Sequence, residues 1–558
     1  MEVVRKYGFL AISLIYFIGV TTSLAFQKSP PTDAVAFHAV NGYVNLITHD
    51  FRMSPATPPL MREFVALPWL FLKPQLDLAD ASWQQAESVD FGLKFMYADN
   101  RAIAWDLLRS SVFMMIGLSL GVLAMSYHAA NRMYGPKAAQ IAVILLAFSP
   151  PFIAYASSIN TDMGILLGYL LTIYYLFEYW EIKKGRGFPF KLAFAFMVGL
   201  ASKFTAILLI LPMAVLSLWR GGIKKSLFVL MGVTLLAFAG VWATYFFEFK
   251  PLLKNVPRAE QKVEYIQQIL NAISVQNPTI RERVIRAAHE QPIPLSSWIL
   301  GFAGIVRSHH DVYRHYFWGK WREDQVPYHY LVSFFTKITM GMIILIFIRL
   351  LATVIGKIAW SIKDAYLLLP TLILFIMTFR DSTGVGMRYL VPLVPLITMW
   401  ISAIWAKQLP RALQLCAKVA LGAHILASIM AYPYYFAYFN EMIGGPKNAY
   451  KFFRANDLEW GMELVELGKY VQTNNLNPVK EGLFGSYDYS FYGIQTIPLQ
   501  NEDYLIPQPR VYAISVFELD HFIWTYDYEP AHIIGHVIWI YDFRDQEKAP
   551  SIDSHEKY

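Results

Sequence analysis

Apolar residues in this chain come in long runs, separated by short polar or basic connections. The runs lie at 8–26, 110–127, 138–154, 163–180, 190–201, 204–219, 226–246, 338–355, 365–379, 389–406 and 419–437. A membrane-crossing helix takes about 20 mostly apolar residues, so the pattern predicts about eleven spans. Basic residues collect at alternate connections: Arg5 and Lys6, then Arg132 and Lys137, then Lys183, Lys184, Arg186 and Lys191. Arg220, Lys224 and Lys225 follow, then Arg349, Lys357 and Lys363, and finally Lys407, Arg411 and Lys418. Their alternation places them and the N-terminus on the cytoplasmic side. Residues 192–219 are almost continuously apolar and carry basic flanks at both ends. Two short helices turning back at Ser202-Lys203 preserve the alternation; a single helix breaks it. Ser23-Leu24-Ala25 resembles a small-x-small cleavage site, and we read the first run as an uncleaved anchor.

This topology leaves five segments outside: 27–109, the tight turn around Asn160-Thr161-Asp162, 247–337, 380–388 and the region from 438 onward. Past Gly444-Gly445-Pro446 no run is long enough to span. Leu464, Leu467 and Val471 share a helical face within 458–471, while 511–516 and 537–541 read as short buried strands. The expected fold is a polytopic α-helical membrane protein over 1–437, with a small extracytoplasmic α/β domain over 438–558.

Composition agrees. Charged residues make up 16% of the 558 residues, against about 25% in a soluble domain. The 15 Trp, 34 Tyr and 39 Phe suit a chain with many membrane–water boundaries. The net charge of +7 comes from 48 basic and 41 acidic residues, scattered among the connections rather than gathered into a patch, so no nucleic-acid partner is implied. One cysteine, Cys416, permits neither an intrachain disulfide nor a cysteine-based metal site.

Most hydrophilic residues therefore lie outside and close to the bilayer surface, which suits a site handling a lipid-borne headgroup. Asp33 follows the stiff exit Ser29-Pro30-Pro31-Thr32, Asp162 sits in a tight turn after Asn160-Thr161, and Lys203, Arg380 and Arg388 are cations at span ends. Carboxylates there could bind a metal or accept a proton, and cations could hold a phosphate. The same residue types also serve as interfacial anchors. His309-His310-Asp311 with His315 forms no recognised closed zinc set and reads as a solvated loop. Tyr97, Trp105 and the aromatics of 313–321 read as an interfacial belt, compatible with sugar stacking.

Several motifs carry a family likeness. Gly42-Tyr43, Asp50-Phe51-Arg52, Pro58-Pro59-Leu60 and Ala66-Leu67-Pro68 resemble the first external loop of GT-C membrane glycosyltransferases of the family 39 type. That group includes the protein O-mannosyltransferases and the lipid A aminoarabinose transferase. Phe148-Ser149-Pro150 with Thr161-Asp162, Leu200–Thr205, Tyr316–Lys320, Pro327–Tyr330 with Lys337, Gly386–Leu390 and Tyr438–Glu441 resemble later family stretches in the same order, as does Glu459-Trp460-Gly461. The resemblance implies transfer of a sugar from a polyprenyl-phosphate carrier to an envelope lipid, glycan or protein, with inversion at the anomeric carbon, in the inner (plasma) membrane. It implies Asp33 as general base, with Lys203, Arg388, Tyr389 and Asp162 around the donor phosphate and a divalent metal ion as candidate cofactor. His38, Asp50, Arg52 and Glu63 are the first-loop candidates. The chain departs from the pattern where Val35 replaces a Glu and where Ala56-Thr57 replace Glu-His. These departures motivate an alternative, a catalytically silent relative that binds a lipid-linked glycan or scaffolds an envelope complex.

Overall fold

The computed structural model describes residues 2–544 except 255–262, 265, 268, 269, 272–276, 309–313, 380 and 382; for 2–6, 308 and 455 it describes the backbone alone. His309, His310, Asp311 and Arg380 fall outside the described residues.

The chain is a mostly helical, multi-pass membrane protein. Among the described residues, six helical segments are long and apolar enough to cross a membrane: Tyr7–Gln27, Arg101–Tyr134, Asp162–Ile182, Phe204–Thr244, Met387–Ala406 and Arg411–Met430. Two bent pairs qualify when each is taken together, Pro136–Ala147 with Pro150–Ala156 (68°) and His329–Lys337 with Met340–Val354 (107°). Local chemistry sets the breaks. Pro150 and Pro151 open the second limb of the first pair, where they lack the N–H groups needed to continue the preceding helix. In the second pair, the Thr339 side chain accepts from Met342 N–H and caps the new helix.

All eleven apolar runs fall on helical segments, with three adjustments. The runs 204–219 and 226–246 belong to one element interrupted at Gly222, which takes φ 68°, ψ 171°. The last run is displaced toward the N-terminus: its helix is Arg411–Met430, and the following turn contains Pro433. Arg349 lies inside the helix Met340–Val354 rather than in a connection. It is 1% exposed because Asp364 neutralises it there, with Arg349 Nη2 2.7 Å from Oδ1.

The chain does turn back at Ser202-Lys203. Phe190–Ser202 ends in a single extended residue, Lys203 at φ −158°, ψ 139°, before the 3-10 turn Phe204–Leu209 and the helix Ile210–Thr244. Phe190–Ser202 also packs against Asp162–Phe177, and Gly168 meets Gly199 there; a Cβ on Gly168 would stand 2.5 Å from Gly199 Cα. Two bare backbones in contact bring the Lys203 turn and the Asp162 turn to the same end of the bundle.

Beyond residue 437 the chain forms a five-stranded mixed sheet in the spatial order Thr496–Ile497, Val479–Gly482, Val511–Ser515, Ile538–Asp542 and His532–Ile534. The two strands expected from sequence are two of its three interior strands. The helix expected over 458–471 begins only at Leu464, because Gly461 turns the chain at φ 72°; Leu464, Leu467 and Val471 are its buried face. This region is tied to the exit of the first helix. Ser29 N–H donates to Met462 O (3.0 Å), Thr32 N–H to Trp460 O (3.1 Å) and Tyr487 OH to Pro30 O (3.0 Å), beside a buried Lys28–Glu463 ion pair.

Candidate active site

Asp33 follows the strap 29–32 and immediately precedes a π-helical turn, Ala34–Ala39. Such turns are rare and concentrate at functional sites. Asp162 opens its helix under an Asn160 cap, whose Oδ1 accepts from Asp162 N–H (2.9 Å) and Met163 N–H (3.1 Å). Lys203 comes from the reversal described above, and Arg388 and Tyr389 from the short helix Met387–Leu390.

These five residues meet in one chain of contacts. Lys203 Nζ binds Asp162 Oδ1, Arg388 Nε lies 3.0 Å from Asp162 Oδ2, and Arg388 Nη1 lies 3.1 Å from Asp33 Oδ2. Lys203 Nζ stands 4.9 Å from the Tyr389 ring centroid, and the Arg388 guanidinium lies 4.9 Å from that of Trp460. Two cations thus face two carboxylates with no formal excess of either sign. Asp162 is fully buried, and burial at that depth is tolerated because both cations reach it. The Asp33 side chain is 33% exposed, against 0% for Asp162, so of the two carboxylates it is the one an incoming hydroxyl can reach.

An apolar cavity of about 220 Å3 adjoins the cluster, lined among others by Ile165, Tyr169, Thr205, Leu374, Tyr389 and Pro392. Tyr389 belongs to both cavity and cluster, and its ring stacks on Tyr330 with centroids 6.0 Å apart. An amphiphile with an anionic head and an apolar tail matches this arrangement.

The first-loop candidates divide. His38 is one π-turn beyond Asp33 and buried; burial holds its pKa down at about 4, opposed by the Asp33 charge, so it is neutral at pH 7. Neither of its ring nitrogens has a hydrogen-bond partner among the described residues. Asp50 and Arg52 pair with each other (2.9 Å), and Arg52 lies over the Trp83 ring (4.6 Å), outside the contact chain. Glu63 is also outside it: burial pushes its carboxyl up to about 8, the neighbouring Arg62 only partly opposing this. His315 is buried in a short hairpin, its ring 5.3 Å from that of His329. Lys337 donates to Phe436 O (2.6 Å).

Residues 103–245 match the model of the dolichyl-phosphate-mannose-protein mannosyltransferase family. This stretch contains Asp162 and Lys203, and the match supports the resemblance read from the motifs. No curated protein sequence matches the chain. Among solved structures, the chain is similar to ArnT from Cupriavidus metallidurans bound to undecaprenyl phosphate, at 12% identity and TM-score 0.32, covering 96% of this chain and 98% of that one. The apo state of the same protein gives 11% identity and TM-score 0.30, covering 95% and 97%.

Sequence reasoning did not place Trp460 in the site, although its motif carries part of the family likeness. Only folding shows that the C-terminal region returns to the membrane-side carboxylates. Among the described residues no three His, Cys, Asp or Glu side chains gather as a metal-holding group. Asp33 and Asp162 are instead occupied by Arg388, so the residues present do not fit the divalent ion that the resemblance implies.

Proposed function

We propose that this protein is a glycosyltransferase that moves a sugar from a polyprenyl-phosphate carrier to a hydroxyl-bearing acceptor at the extracytoplasmic face of the plasma membrane. The observation that carries the reading is the contact chain Lys203–Asp162–Arg388–Asp33 beside an apolar cavity. The family match over residues 103–245 supports the same reaction class.

In this reading the first isoprene units of the carrier lie in the cavity against Tyr169 and Pro392, and the phosphate rests on Lys203 and Arg388. Asp33 takes the proton of the acceptor hydroxyl. The hydroxyl oxygen bonds to the anomeric carbon from the face opposite the phosphate, and the bond from that carbon to the phosphate oxygen breaks. The carrier phosphate departs with the bonding electrons, its charge met by the two cations, and the anomeric configuration inverts. Fixed charges aimed at the developing phosphate charge stabilise such a transition state most. No step passes through a metal.

The test is transfer by the purified full-length chain in nanodiscs, with a polyprenyl-phosphate sugar and an envelope extract as acceptor source. Asp33→Asn is expected to lower turnover by roughly 10²–10⁴-fold, the contribution of a general base, with unchanged membrane insertion. Unchanged turnover removes Asp33 from the mechanism. Tight polyprenyl-phosphate binding by a wild-type protein that transfers nothing favours the silent relative.

A further inference from the structure

The segment 457–460 touches Arg388 and holds the residues immediately before both Asp33 and Arg388. On one side, Trp460 O accepts the N–H of Thr32 (3.1 Å), the residue before Asp33. On the other, Asp457 Oδ1 accepts the N–H of Met387 (3.0 Å), the residue before Arg388. The Trp460 indole lies under the Arg388 guanidinium, 4.9 Å to its centroid. Asp457 is itself immobilised. It is 2% exposed and accepts from Ser333 Oγ (2.6 Å), with His329 Nε2 3.1 Å from its other oxygen. The fit at its other neighbour is close. Gly386 takes φ 60°, ψ −134°, a conformation essentially confined to glycine, and a Cβ there would stand 1.9 Å from Asp457 Oδ1.

We propose that the segment 457–460 sets the spacing between Asp33 and Arg388, with Asp457 and Trp460 as positioning residues for the transfer reaction. The inference rests on the reading of Asp33 as base and Arg388 as phosphate clamp. Asp33 is reached from the end of the first helix and Arg388 from a helix some 350 residues later; the C-terminal region is the common reference for both. A lateral error of about 1 Å in such a pair costs on the order of 10²-fold in rate.

The experiment compares Asp457→Ala, Asp457→Asn, Trp460→Leu and Trp460→Phe in the full-length chain in nanodiscs. Cryo-EM reports where Arg388 lies, and steady-state kinetics separates kcat from KM for the polyprenyl-phosphate sugar. Expected are an Arg388 withdrawn from Asp33 in Asp457→Ala and Trp460→Leu, a kcat lower by about 10²-fold, and recovery of most of that loss in the Asn and Phe variants. The inference is overturned if Arg388 keeps both carboxylate contacts in the Ala and Leu variants at wild-type kcat per folded molecule. It is equally overturned if Asn and Phe are as impaired as Ala and Leu. Should Asp457→Ala fail to fold, the Trp460 pair decides. If the wild type transfers no sugar, the reaction reading fails by itself, and the position of Arg388 in the variants still decides whether this segment sets the spacing.

Discussion

Two arginine–carboxylate clusters lie buried among these helices, and they differ in what is left over. At the first, Arg349 Nη2 contacts Asp364 Oδ1 at 2.7 Å, Ser361 N–H and Oγ fill Oδ2, and neither charged side chain exceeds 1% exposure. The pair joins two helices and caps one of them. At the second, Arg388 divides its guanidinium between Asp33 and Asp162, Lys203 reinforces Asp162, Asp33 keeps a third of its surface open, and a cavity begins at Tyr389. Both clusters balance their charges formally, and both hold arginine against carboxylate at 2.7 to 3.1 Å. What separates a joint from a candidate site is whether a carboxylate remains reachable and whether there is room for something else to bind.

That contrast can be broken most forcefully at the closed pair. Asp364→Ala leaves Arg349 buried without a charge partner, a loss of about 3–5 kcal/mol. A large fall in thermal midpoint and folded yield is expected, with transfer per folded molecule unchanged; a selective loss of transfer there would erase the distinction. At the open cluster, Arg388→Ala should do the reverse. Removing one preorganised donor costs roughly 10²–10³-fold in kcat, with a smaller loss of stability than in Asp364→Ala because Lys203 still pairs the buried Asp162. Arg388→Lys should recover only part of this, because an ammonium cannot span both carboxylates as the guanidinium fork does.

The smallest effect sharpens the comparison from the C-terminal side. Glu459 is buried against Ser515, and desolvation raises its carboxyl from an ordinary 4.5 to about 8. The folded state therefore holds a proton that the unfolded chain releases near pH 4.5. Its contribution to stability is full below that pH and is lost as pH rises through 8. Glu459→Gln should leave the thermal midpoint unchanged near pH 4 and raise it by a few degrees at pH 8. Parallel curves across that window would place the proton elsewhere.

The spans were legible in the sequence because a run of apolar residues is a local signal with one solution in a bilayer. The reversal at Lys203 was legible too, since basic flanks on both sides leave a single helix no consistent orientation. Asp33, Asp162, Lys203, Arg388 and Tyr389 could be named because their motifs are short and local. Their assembly into one contact chain depends on helix crossings, such as Gly168 against Gly199, that no pattern in the sequence encodes. Asp50 and Arg52 show the limit: placed in the same loop by motif, they satisfy each other instead. Asp457 carried no signal at all, being an acidic residue in an irregular stretch until folding brings Met387 N–H to it.

In the proposed reading, the cavity beside Tyr389 bears on the choice of carrier. On that reading only the first isoprene units lie in this cavity, and the remainder of the tail would extend among the bilayer's own acyl chains. Discrimination then acts on the phosphate and the units nearest it. Carriers of different length but the same leading units should be nearly interchangeable, and tail length is left to whichever carrier the membrane supplies.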